Sequence, residues 1–270
     1  MSRTLFRIVV FNLFLLSCLL GKIDHASAGS NPKDMVLVPE GEFVKGSTDD
    51  EVSKLKKMYG EREIYKLYPF DKEVPAKKVY LKSFYIDRHE VTNREYEKFV
   101  KETNYPPPLN WEEGTFASGK GDFPVLYVSR TDAMKYAKWA GKRLPTEDEW
   151  EKASRGTDGR VYPWGNTFDP YKSVTAESDL KFLLGALCEF GTANKIELAP
   201  GDVSPFGVHD MAGNVREWTA TLEMADSEKA VVKGGSWLDL SVNARAAHRE
   251  IIPGDSVSHI IGFRCAKDVE

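Results

Sequence analysis

Two carboxylates seven positions apart, Asp210 and Glu217, bracket the segment Gly207-Val208-His209-Asp210-Met211-Ala212-Gly213-Asn214-Val215-Arg216-Glu217-Trp218. Gly213 and Asn214 between them tolerate the positive φ that a sharp reversal needs. Beyond the turn, Val215 and Glu217 fall on one side of an extended chain, and Trp218 faces the other way into core. Carboxylates and carbonyls around such a turn suit Ca²⁺, which takes six to eight oxygens. An Asx-type turn with Glu217 in a surface ion pair accounts for the same residues, and spacing alone favours it. Other chemistry has little support. His89, His209, His248 and His259 form no His-x-His or His-Glu-x-x-His pair, and no Gly-x-Ser-x-Gly elbow occurs.

The elements that must position this loop are readable from periodicity. Asp34 to Gly46 alternates around a Pro-Glu-Gly turn and predicts a hairpin. Thr48-x-x-Glu51, Thr92-x-x-Glu95, Ser129-x-x-Asp132 and Thr146-x-x-Glu149 each open a helix with a capping box. The second presents Tyr96, Phe99 and Val100 on one face; the third presents Ala133, Tyr136, Ala137 and Ala140 and stops at Gly141. The fourth turns Trp150 and Ala153 inward and stops at Gly156. Strands are expected at Val79 to Ile86, Phe123 to Val128, Ala230 to Trp237, Ala244 to Arg249 and Ile260 to Cys265. Helices early and strands late indicate an α+β class rather than alternating βαβ units.

Residues 1–28 read as a secretory signal peptide. Arg3 and Arg7 precede an apolar run from Ile8 to Leu20, and Ala26-Ser27-Ala28 supplies a small-residue cleavage site. Thirteen residues are too few to span a bilayer, which takes about twenty. The chain is therefore expected to be exported, periplasmic or secreted, as one domain over 29–270. A lipoprotein reading at Leu15-Leu16-Ser17-Cys18 is weaker, because Leu16 is bulky and the apolar run continues past the cysteine. Cleavage leaves 34 basic and 40 acidic side chains, a net charge of −6. That balance offers no footprint for nucleic acid. Only Cys188 and Cys265 remain, which in an oxidising compartment form one disulfide or stand as two thiols.

Seven segments in order carry a resemblance: MVLVPEGEF (35–43), EVTNREYEKFV (90–100), AKWAGKRLPTEDEWEKASRG (137–156), YPWGN (162–166), FGVHDMAGNVREW (206–218), VKGGSW (232–237) and GFRCA (262–266). Together they resemble the formylglycine-generating enzyme, or sulfatase-modifying factor, family over nearly the whole chain after residue 28. The resemblance implies an α+β domain of the C-type-lectin-like kind with little regular structure. It also implies a structural calcium held by Asp210, the carbonyls of Gly213 and Val215, and Glu217. A second calcium loop of the family falls between Thr167 and Phe190, where Asp169, Glu177 and Asp179 are available. Cys265 matches a structural family cysteine whose usual partner position holds Ala153-Ser154 here, leaving Cys188 as the available partner.

The family's chemistry is oxidation of a substrate cysteine by Cu(I) on two cysteines, soft thiolates that select that ion. Those cysteines follow the Gly-Gly-Ser motif. Here Gly234-Gly235-Ser236 leads to Asp239 and Ala244 at the matching positions, so no copper is expected. The resemblance places Ser236, Asp239, Asn243, Arg245, His248 and Arg249 in or near the cleft. Asp239 and His248 could form an acid–base pair, or the set could be a satisfied buried network with Arg245 neutralising Asp239. The expected function is therefore a calcium-stabilised accessory or maturation factor that binds a peptide, protein or small ligand. The alternative is an oxidoreductase, resembling the pyoverdine-maturation relative, that works without copper thiolates.

Overall fold

A computed structural model describes residues 34–59, 70–178, 193–225 and 227–270; the expected signal peptide and Cys188 lie outside them. In chain order the elements are β1 (Met35–Val38), β2 (Gly41–Lys45), α1 (Asp49–Tyr59), a 3₁₀ turn (Phe70–Glu73), β3 (Lys77–Leu81) and β4 (Phe84–Asp87). There follow α2 (Asn93–Thr103), α3 (Arg130–Trp139), α4 (Glu147–Arg155), β5 (Arg216–Leu222), β6 (Lys229–Lys233), β7 (Glu250–Pro253), β8 (Ile261–Gly262) and β9 (Ala266–Asp268). Three small sheets have the orders β1-β4-β9, β2-β3 and β7-β6-β5-β8. Only β5 and β8 pair in parallel. The class is α+β, and 60 consecutive residues between α4 and β5 contain no described strand or helix.

All four expected capping boxes close. Thr92, Ser129 and Thr146 each accept from the backbone of the third residue, whose carboxylate accepts from the cap's own N–H. Thr48 and Glu51 do the same ahead of α1. Each box satisfies orphan donors of a first turn, worth about 1 kcal/mol for the cap. The apolar faces of α2 and α3, with Tyr96, Phe99 and Tyr136, pack on Trp218 of β5 and on Phe263 and Cys265. A second core joins β1 and β4 through Val36, Val38, Phe84 and Ile86 to Trp150 and Ala153 of α4 and to Val208 and Met211. The segment 207–218 is thus clamped between two cores.

The strand expectations need correction. Asp34 to Gly46 is no hairpin: β1 pairs with β4 and β2 with β3, in different sheets. The turn between them is held open because Lys152 Nζ donates to the carbonyls of Pro39 and Gly41 at 2.7 and 3.0 Å. Val79 to Ile86 breaks at Lys82-Ser83 into β3 and β4, one strand for each of those sheets. Phe123 to Val128 makes only an isolated bridge at Pro124, and Tyr127 takes a φ of 56°, which ends extended pairing. Ala244 to Arg249 is not a strand; charged side chains tie it down instead, and β7 begins at Glu250.

Candidate functional site

The loop opening at Gly207 reverses as its residue types require. Asp210, Gly213 and Asn214 all have positive φ, at 55°, 117° and 59°. A Cβ at Gly213 would lie 2.4 Å from the carbonyl oxygen of Val174, so only glycine fits. Asn214 fastens the turn: its side chain accepts from the Asn194 N–H and donates to Glu90 Oε1 at 3.0 Å. Past it, Glu217 is fully buried rather than in a surface pair. Arg264 donates to both its oxygens, Nε to Oε2 and Nη2 to Oε1, each at 2.7 Å, and Trp150 Nε1 adds a third bond at 2.8 Å. Arg264 Nη2 also donates to the carbonyl of Asp210.

Four buried carboxylates, on Glu90, Asp202, Asp210 and Glu217, surround this single guanidinium. Burial pushes the Asp210 carboxyl up to about 6 and also raises those of Glu90 and Asp202 well above their ordinary values, the neighbouring acids adding to the effect. Glu90 Oε2 and Asp202 Oδ1 are buried without a hydrogen-bond partner. Surplus buried negative charge and an all-oxygen donor set fit a hard cation such as Ca²⁺. Asp210, Glu217 and the carbonyls of Gly213 and Val215 would hold it, with Glu217 shared between ion and Arg264. Among the described residues no group of three or more His, Cys, Asp or Glu side chains could hold a metal ion. An ion here therefore depends on main-chain carbonyls. Of the acids available for the second expected loop, Asp169 accepts from the Tyr171 N–H, Glu177 accepts from the Ser241 N–H, and Asp179 lies outside the described residues.

The six cleft candidates fall into three groups, centred on Asp239, Glu73 and Glu147. Ser236 Oγ donates to Asp239 Oδ2 at 2.6 Å, and Arg216 grips both oxygens of Asp239 at 2.8 and 2.7 Å while its Nη1 contacts Glu250 at 2.8 Å. Although burial would raise the Asp239 carboxyl, the Arg216 guanidinium holds it below its usual range. Arg245 does not neutralise Asp239. It makes a two-pronged pair with Glu73 at 2.7 and 2.6 Å and packs over the Phe70 ring. His248 lies between Glu73, 3.6 Å away, and Asn243, 3.3 Å away, rather than forming an acid–base pair with Asp239. Burial lowers its imidazole pKa, so it is neutral at pH 7. Arg249 pairs with Glu147 at 2.7 and 3.2 Å.

Among the described residues Cys265 stands as a free thiol, and its expected partner Cys188 lies outside them. It is fully buried in the main core, its N–H donates to Asp87 Oδ2 at 2.8 Å, and burial raises its pKa well above the usual value. Outside the networks lies an aromatic rim. Trp237 and His259 have ring centroids 5.7 Å apart, His259 and Tyr127 6.4 Å, and Leu238 and Val257 stand exposed. Tyr127 is a bulky residue in the left-handed region, a strained conformation found where function constrains the backbone. Sequence reading missed Glu73, Glu90, Glu147, Asp202, Arg216 and Arg264. Arg216 alone had a signal, since alternation places it opposite Val215 and Glu217.

Comparison with known proteins gives a consistent result. The model of the sulfatase-modifying factor enzyme 1-like domain matches residues 22–269. A Mus musculus protein described as inactive C-alpha-formylglycine-generating enzyme 2 is 32% identical over 95% of this chain and 92% of its own length. The formylglycine-generating enzyme of Bos taurus is 31% identical over 88% of this chain and 76% of its own. Among solved structures, PvdO from Pseudomonas aeruginosa superposes with a TM-score of 0.66 at 24% identity, covering 88% of this chain and 96% of that one.

Proposed function

Because the chain belongs to the sulfatase-modifying factor family, we propose that it is an exported member without copper-dependent formylglycine chemistry. It acts as an accessory or maturation factor that binds a peptide, protein or small ligand, with a structural calcium in the Asp210–Glu217 loop. Overall identity does not choose between active and inactive relatives, which stand at 31% and 32%. Residue chemistry does. The observation that carries the reading is Asp239: a hard carboxylate, paired with Arg216 and Ser236, occupies the position of the first thiolate. At the second, Ala244 is a buried methyl packed against Tyr162 and Ala212. Cu(I) selects soft sulfur ligands and has none there. The remaining cleft charges are committed to partners, which leaves the Trp237–His259–Tyr127 rim as the surface open to a ligand.

The test uses purified full-length chain, given Cu(I) against a competing chelator and incubated aerobically with cysteine-bearing peptides. The expected result is no stoichiometric tight copper and no hydrazide-reactive aldehyde on any peptide. Aldehyde formation would overturn the lost-chemistry reading. A stoichiometric redox metal with oxygen uptake would instead establish the oxidoreductase alternative.

A further inference from the structure

Behind the Arg245–Glu73 and Arg249–Glu147 pairs of the cleft, a cavity of about 260 Å³ opens beside the end of the β2–β3 ladder. Its floor is a set of buried ion pairs. Glu73 is held by Arg245, Glu151 by Arg155 at 2.9 Å and Lys233 at 3.1 Å, and Glu147 by Arg249 and by Lys45 at 3.2 Å. Lys45 also bonds Asp148. Its mouth carries Lys72 and Lys77, both exposed and without an ion-pair partner among the described residues. Arg249 spends Nε and Nη2 on Glu147, which leaves Nη1 over. Four cations, Lys45, Lys72, Lys77 and Arg249, thus meet three carboxylates, Glu73, Glu147 and Glu151, in the cavity lining, in a chain whose net charge is −4.

The strand register sharpens this imbalance. Lys45 and Lys77 are direct cross-strand partners, and both line the cavity. Lys45 is already paired with Glu147 and Asp148, so the ammonium left without an ion-pair partner at this end of the ladder is that of Lys77, which an anion beside it would neutralise. The backbone there is also fixed. The Gly46 N–H donates to Glu151 at 2.7 Å and the Ser47 N–H to the Glu73 carbonyl at 2.9 Å. A Cβ on Gly46 would lie 2.5 Å from that same carbonyl oxygen. A concave site of one excess sign, walled by low-dielectric protein, concentrates the opposite charge.

We propose that this cavity binds a small tetrahedral oxyanion, a phosphate or sulfate group, between Lys45, Lys77, Lys72 and Arg249. Lysine ammonium groups offer three rotatable donors each as compact point charges, which suits a tetrahedral group better than a planar carboxylate. The proposal is independent of whether the family chemistry survives. Calorimetric titration of the full-length chain with inorganic phosphate and with inorganic sulfate, ionic strength held constant with sodium chloride, tests it.

At least one oxyanion should give a saturable 1:1 isotherm, and the double variant Lys72→Gln/Lys77→Gln should weaken it at least tenfold. Lys78→Gln, an exposed change of the same charge on the same strand, should leave it within twofold. Tighter phosphate assigns a phosphate group and tighter sulfate a sulfate group; either supports the site. Absence of saturable binding with both ions, or a double variant that titrates like the parent, would overturn the proposal.

Discussion

Glu73→Gln isolates the pair that anchors the segment after the Gly-Gly-Ser motif. The Glu73 carboxylate is buried, yet Arg245 and His248 outweigh burial and depress its pKa from 4.5 to about 2. At about 1.4 kcal/mol per unit, ionised Glu73 contributes about 3 kcal/mol at neutral pH. That agrees with about 3–5 kcal/mol for breaking a buried pair from one side. Because the folded pKa is depressed, the contribution is complete above 4.5 and lost as pH falls toward 2. The glutamine variant should therefore lie about 3 kcal/mol below the parent at pH 7, a fall in Tm of roughly 6–12 °C for a domain of this size. By pH 3 the gap should have narrowed by about 2 kcal/mol. Urea unfolding of both proteins at pH 7, 5 and 3 measures the gap, and their difference cancels the titration of shared carboxylates. A gap of the same size at pH 7 and pH 3 would refute the reasoning, since the charge on Glu73 would then contribute nothing.

Calcium should raise the Tm of the parent, and Glu217→Ala should abolish that gain; equal melting of the parent with and without chelator would remove the loop as an ion site. In a Cys188→Ser background, Cys265 should resist Ellman's reagent in native buffer and react fully in guanidinium, because its thiol is buried with a raised pKa. Fast native labelling would contradict that burial. Asp239→Asn should cost about 2 kcal/mol, and Asp239→Asn with Arg216→Met should cost less than the sum of the single changes by roughly 1–3 kcal/mol in urea unfolding. Additivity would mean that Arg216 and Asp239 are not coupled.

Helices were legible because their signals are local. A Ser or Thr cap with an acid three residues on, as at Thr92-Glu95, needs no knowledge of the rest of the chain, and Tyr96, Phe99 and Val100 fall on the buried face at helical spacing. The turn at Gly213-Asn214 was legible for the same reason. Strand pairing was not. Met35–Val38 and Gly41–Lys45 look like two arms of one hairpin, but their partners lie about forty residues on, and a lysine from α4 decides how the turn between them opens. The cleft residues could be collected by position in the motif, whereas their pairing could not. Glu73, the partner of Arg245, lies 172 positions earlier in a segment with no periodic pattern. Asp202 and Glu90 likewise join Asp210 only through tertiary folding.

The segment from Trp237 to Glu250 is fixed by its side chains rather than by its backbone. It has almost no regular secondary structure, so backbone ladders do not fix it. Its charged side chains reach remote elements instead: Asp239 to Arg216 of β5, Arg245 to Glu73, and Arg249 to Glu147 of α4. The Arg245–Glu73 pair is fully buried and the other two are part-buried, so one-sided removal strands a charge most severely at Glu73. A general acid or base must instead change protonation state during turnover, with a pKa near the working pH. Asp239 and Glu73 are held well below that range and His248 is kept neutral. Acid–base chemistry by any of these groups would require freeing it from its partner, at a cost in the stability it now maintains.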